Sequence, residues 1–143
     1  MSFLRNLVSI IIGLFCGVLA TFFIASSGRG FFSEYLDVPN ITEPEAFASF
    51  IETLPLGAFL LLLFAHSCGS IIAAFIATIL SGHARPTTAM AIGIIMLAGG
   101  VINLIRIPHP IWYQISEGII YLPAAFLGYK LYLKVTQMFI SRV

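Results

Sequence analysis

Four side chains in this sequence could do chemistry where chemistry is expensive. His66, Asn103 and Glu117 lie inside otherwise apolar stretches, and Arg106 lies just beyond one of them. A polar or ionisable group in hydrocarbon is costly and usually faces the interior of a helix bundle. Helical spacing agrees. His66 shares a face with Gly69, Ser70, Ala73 and Ala77, Glu117 with Tyr121, Ala124 and Gly128, and Asn103 continues a Gly93, Met96, Gly100 stripe. Two readings follow. In the first, Glu117 is the acid or cation ligand of an outward-opening site. His66 is then a proton partner at its floor, Asn103 an orienting amide, and Arg106 draws an anion to the mouth or holds Glu117 ionised. Histidine titrates near neutral pH and burial favours a protonated carboxyl, so such a pair could carry protons. In the second, the same groups are interhelical glue. His66 hydrogen-bonds Glu117 or a backbone carbonyl and Arg106 pairs with Glu117, each contact contributing about 0.6–2 kcal/mol.

Other chemistries find no support in the residue pattern. A single histidine inside an apolar stretch does not make a bis-histidine haem site, and His83 and His109 fall in loops on opposite sides. Cys68 is two residues from His66, a spacing that points the pair apart on a helix and argues against a metal. No glycine-rich phosphate loop is present, and nothing supplies an oxyanion hole beside Ser67 or Ser70. The expectation is a non-enzymatic protein without metal or cofactor. Cys16 and Cys68 both lie in apolar runs and read as small buried thiols, not a disulfide framework.

The elements that position these residues are set by the solvent. Of 143 residues, 59% are hydrophobic and 9% are charged, against about 25% charged in a soluble domain. The mean hydropathy is +1.04. Lipid must meet most of such a surface. Spans of about 20 apolar residues fall near residues 7–24, 55–80, 88–104 and 112–132. This predicts an all-α, four-transmembrane-helix bundle occupying residues 1–143 as a single domain. A cleaved signal peptide is the rival for the first run, with Ala25-Ser26-Ser27 as its cleavage site, but the run exceeds the usual apolar core of about 7–15 residues. A net charge of +1 offers no stripe to neutralise nucleic-acid phosphates.

Arg5, Arg85, Lys130, Lys134 and Arg142 fall on one side of four alternating spans, and Arg29 and Arg106 on the other. The positive-inside rule then puts both termini in the cytoplasm. The first loop is the long one. Thr42 and Glu45 have capping-box spacing, and Phe47, Phe50, Ile51 and Leu54 follow at helical spacing. This predicts a short amphipathic helix on the outer surface, with a bend at Pro55. Asn40-Ile41-Thr42 is formally a glycosylation sequon. Pro108-His109-Pro110 stiffens the last loop, and Trp112 and Tyr113 stand where an aromatic belt is expected. Pro123, mid-span, should kink or loosen the fourth helix.

In lipid, helices associate where small residues allow backbones to approach. Each span carries such a stripe: Gly13, Gly17 and Ala20; Ala65, Gly69, Ala73 and Ala77; Ala89, Gly93 and Gly100; Ala124, Ala125 and Gly128. Gly13 and Gly17 could equally serve a second copy of the chain.

Ala65-His66-Ser67-Cys68-Gly69, the segment Ile107 to Tyr113, and the segment Tyr121 to Gly128 together resemble uncharacterised small four-span proteins of bacterial inner membranes. That resemblance implies the architecture and membrane but no function. The functional expectation is an accessory membrane subunit or homo-oligomeric bundle. The alternatives are a proton-coupled transporter or channel-like unit using Glu117 and His66, and a membrane enzyme acting on a lipid or quinone.

Overall fold

The computed structural model describes residues 2–36, 38–39, 43–82 and 85–140. Five helices carry it: α1 (Ser2–Ser26), α2 (Pro44–Thr53), α3 (Leu56–Ser81), α4 (Pro86–Arg106) and α5 (Ile111–Ile140). Two short 3₁₀ turns, Ser27–Gly30 and Ser33–Leu36, follow α1. No strand occurs among the described residues.

Among the described residues, three helical segments are long and apolar enough to cross a membrane: Phe3–Gly30, Leu56–Ser81 and Pro86–Arg106. The fourth long helix, α5, has 30 residues but is less apolar, because it carries Gln114, Glu117, Lys130 and Lys134. It runs unbroken through Pro123.

The central helix is α3, which packs against α1, α4 and α5, while α5 also packs along α4. These seams are made of missing side chains. A Cβ on Gly13 would lie 2.5 Å from the Ala73 carbonyl and 2.8 Å from the Ala77 Cβ, and one on Gly17 would lie 2.5 Å from the Gly69 carbonyl. Gly93 fits against Leu122 and Ala125 in the same way, and Gly128 against Ile71 and Ala74. Thr21 of α1 hydrogen-bonds its own helix at Gly17 (3.0 Å) and crosses to the Ala65 carbonyl of α3 (3.3 Å). Gly13 and Gly17 therefore face α3 of the same chain. The expectation that they serve a second copy is corrected, because the close approach they permit is already taken. Bulky residues such as Phe15, Phe23, Phe64, Ile94 and Ile119 point outward, where lipid would cover them at little cost.

The amphipathic helix forms as α2, but it does not lie free on a bilayer surface. Ile51 and Leu54 are buried with Ala58, Phe59, Leu63 and Tyr113, and Phe47 and Phe50 pack against that cluster. The apolar face expected to meet lipid instead roofs the starts of α3 and α5. Glu43 stands at the N-cap and Pro44 opens the helix, a position that suits proline because no hydrogen bond is lost there. Thr42 of the expected capping box, the Asn40-Ile41-Thr42 sequon, His83 and Arg142 lie outside the described residues. Pro55 is extended (φ −70°, ψ 156°) and supplies the expected bend between α2 and α3. At the other end of α3, Gly82 has φ 69°, a left-handed turn that favours glycine. Arg5 donates from Nε to the Leu80 carbonyl at 2.9 Å, satisfying one of the carbonyls left free where α3 ends.

Candidate functional site

The site is built from one residue of α3 and two of α5. Helical spacing sets Glu117 and Tyr121 one turn apart on α5, and the Tyr121 hydroxyl donates to Glu117 Oε1 at 2.7 Å. From α3, His66 brings Nδ1 to 3.2 Å from the same oxygen, off the line of a well-formed hydrogen bond but within ion-pair distance. The His66 and Tyr121 rings stand 5.8 Å apart, tilted by 42°. Glu117 is 0% exposed. Its Oε2 is buried and has no hydrogen-bond partner among the described residues.

The polar cluster forms the floor of a groove. The cavity measures about 470 Å³ and is lined by Leu14, Val18, Thr21 and Phe22 of α1, by Ile95, Met96, Gly99, Gly100 and Asn103 of α4, and by His66, Glu117 and Tyr121. It exists because α1 runs along α3 and scarcely meets α4. Its mouth is apolar: Phe22, Val18 and Ile95 are exposed there. No ionisable side chain of α1 or α4 lines it.

Gly100 is what lets Tyr121 into place. A Cβ there would fall 2.5 Å from the Tyr121 hydroxyl oxygen and 2.6 Å from its ring. Tyr121 thus reaches Glu117 through space that α4 leaves empty.

Of the four residues singled out from sequence, His66, Asn103 and Glu117 come together around this groove. Arg106 does not. It is exposed and lines a separate cleft with Phe47, Asn103 and Pro108. The expectation that Arg106 pairs with Glu117 or holds it ionised is corrected, since the ion-pair partner of Glu117 among the described residues is His66. Arg106 ends α4 pointing away from the cluster, whereas Asn103 lies nearly one turn earlier and faces it. The sequence reading placed Tyr121 on the face of Glu117 but gave it no role. The i, i+4 spacing was the available signal. Gly100 and Thr21 offered none, because their importance depends on which helices become neighbours.

A stiff lid stands over the start of α5. His109 Nδ1 is 2.7 Å from the Ile107 carbonyl, and Gln114 donates to the His109 carbonyl at 2.7 Å. The His109 ring stacks on Tyr113 at 4.9 Å. These contacts fix the loop between α4 and α5, and through it the depth of Glu117. Counting from Ile111, Glu117 lies about 9 Å along α5, and His66 lies about 15 Å along α3 from Leu56, at 1.5 Å per residue. Cys16 and Cys68 are half-buried and unpaired, and no group of metal-ligating side chains occurs among the described residues.

No protein family, curated protein or solved structure matches this chain.

Proposed function

We propose that the chain is a four-span protein of a bacterial inner membrane, with α5 as the fourth span and both termini in the cytoplasm, and that it is a proton-coupled transport unit working through Glu117 and His66. Side-by-side packing of α5 with α3 and α4 supports the fourth span, since helices in register with two spans share their depth. The Lys/Arg distribution supports the orientation.

One observation carries the functional reading: Glu117 Oε2, wholly buried and without a partner among the described residues. Interhelical glue calls for a satisfied carboxyl. A buried polar group left unpaired costs about 1–3 kcal/mol, more if it is charged. Here Tyr121 and His66 both address Oε1, and Oε2 of this groove-lining residue has no partner among the described residues. A carboxyl held this way can take a proton from the groove and return it, while His66 stabilises the ionised form by sharing or receiving the proton.

The test uses proteoliposomes with a trapped pH indicator and a potassium–valinomycin potential. Wild-type protein should carry protons, Glu117→Gln should abolish the flux, and His66→Gln should slow it. Wild-type flux no faster than that of empty vesicles, or undiminished flux in both variants, would overturn the reading.

A second reading, an accessory subunit, draws on the gap between α1 and α4, which a partner's helix could fill. Gentle purification from native membranes with mass analysis of what is retained separates the two. A stoichiometric second protein favours the subunit, and a lone chain or homo-oligomer favours transport.

A further inference from the structure

We infer that the groove between α1 and α4 binds a lipophilic monovalent cation, an apolar or aromatic body bearing one positive charge, in competition with the proton on Glu117. The inference rests on the proposed proton site and names what else that site takes.

Charge is the first argument. A lone carboxylate in hydrocarbon needs a counter-charge. None is built in beyond His66: among the described residues no lysine or arginine pairs with Glu117, and Arg106 opens onto another cleft. The ionisable groups around Glu117 are few. From α3 there is His66, from α5 itself Tyr121 and, one turn the other way, Tyr113, and from the loop beyond, His109, which stacks on Tyr113. From α4 and α1 the neighbours are Asn103 and Thr21, which do not titrate. The carboxyl is therefore neutralised by a proton, on Glu117 or on His66, or by a cation that enters.

Geometry is the second. Oε1 already serves Tyr121 and His66, so Oε2 is the atom left for either occupant. Binding is an exchange: protonated Glu117 and the incoming cation give a carboxylate–cation pair, and one proton leaves. Proton and cation compete for the single charge of one carboxyl.

The walls are the third. A space of about 470 Å³ lies in the range of small-ligand sites, about 300–1,000 Å³. Its apolar lining matches an apolar body, and the rings of Phe22 and Tyr121 can face a cation. The exposed mouth at Val18, Phe22 and Ile95 would open sideways into lipid, where lipophilic cations concentrate.

The experiment is equilibrium dialysis of detergent-purified full-length protein with radiolabelled tetraphenylphosphonium from about pH 5 to about pH 9, with tetraphenylborate as an anion of the same shape. Displacement of one proton requires the apparent Kd to fall by about tenfold per pH unit while the site is protonated. Glu117→Gln should weaken binding by at least about tenfold and remove the pH dependence. Glu117→Asp, which keeps the charge, should retain it and guards against a glutamine variant that does not fold. Tetraphenylborate should not bind saturably. Equal binding of the borate, or phosphonium binding indifferent to pH, would overturn the inference. An infrared band of a protonated carboxyl, lost in Glu117→Gln, separates the two failures. If that band titrates but phosphonium does not compete, the proton site stands and the cation site falls. If no such band titrates, both fall.

Discussion

Replacing Gly17 with alanine adds one methyl group where the structure has no room for it. The new Cβ would stand 2.5 Å from the Gly69 carbonyl oxygen and 2.6 Å from the Ala73 Cβ, about 1 Å inside ordinary contact for each. Neither neighbour is the end of a flexible side chain. One is backbone, and the other is a methyl fixed directly to it, so the strain can be relieved only by moving α1 away from α3. Overpacking of this kind costs about 1–3 kcal/mol. Displacing α1 also stretches the Thr21 bond to the Ala65 carbonyl, already 3.3 Å long. The same chemical change at Gly118 should have the opposite sign. Nothing lies within 4 Å of a Cβ there, and alanine is favoured over glycine in a helix interior by up to about 1 kcal/mol. The pair can be measured by unfolding in mixed micelles, following helicity. Gly17→Ala should lose about 1–3 kcal/mol while Gly118→Ala gains up to about 1 kcal/mol. If Gly17→Ala proves as stable as the parent, α1 does not approach α3 this closely, and the groove's wall is misplaced.

Two further outcomes follow from the same geometry. Tyr121→Phe removes a hydrogen bond to the carboxylate worth about 1.5–3 kcal/mol and should weaken tetraphenylphosphonium binding by about tenfold or more, and Gly100→Ala, which drives the phenol out of its slot, should do the same with Tyr121 intact. Gly82→Ala should lose about 1–2 kcal/mol in the unfolding assay, because a side chain at φ 69° is strained, and Gly82→Asn should lose less.

Much of this was legible in the chain, and the limits are physical. Composition and run length placed α3 and α4 within two residues at each end, because lipid leaves the backbone little choice but to satisfy itself within each helix, whereas α1 starts five residues before its apolar run and α5 ends eight residues after its own. The spacing of Phe47, Phe50, Ile51 and Leu54 located α2. Its partner was another matter: an amphipathic face fits a bilayer or a protein equally well, and only the proximity of Phe59 and Tyr113 decides. Gly13 and Gly17 raise the same ambiguity, since a small-residue stripe reads identically whether its partner is α3 or a second copy. His66 and Glu117 stood out because each is a costly residue in an apolar run. Arg106 misled because Asn103 borders two clefts, the groove of Glu117 and the separate one that Arg106 lines.

The groove itself follows from where the glycines are not. On α1 they lie on the side that meets α3, while the side turned toward α4 carries Leu14, Val18 and Phe22. On α4, Gly93 is spent on α5 and Gly100 on the Tyr121 ring, while Gly99 lines the groove and meets nothing across it. In water the exposed apolar walls would be drawn together. In lipid no such force acts, and helices close only where small residues let their backbones touch. α1 packs on α3, and α3, α4 and α5 pack on one another, three of these four seams through glycines, while α1 scarcely meets α4. The same distribution of side-chain size buries Glu117 fully and sets it in the wall of a groove that opens to the side. A carboxyl reached through lipid meets molecules in proportion to their partitioning into the membrane. This is why an apolar cation, not a hydrated one, is the natural competitor for its proton.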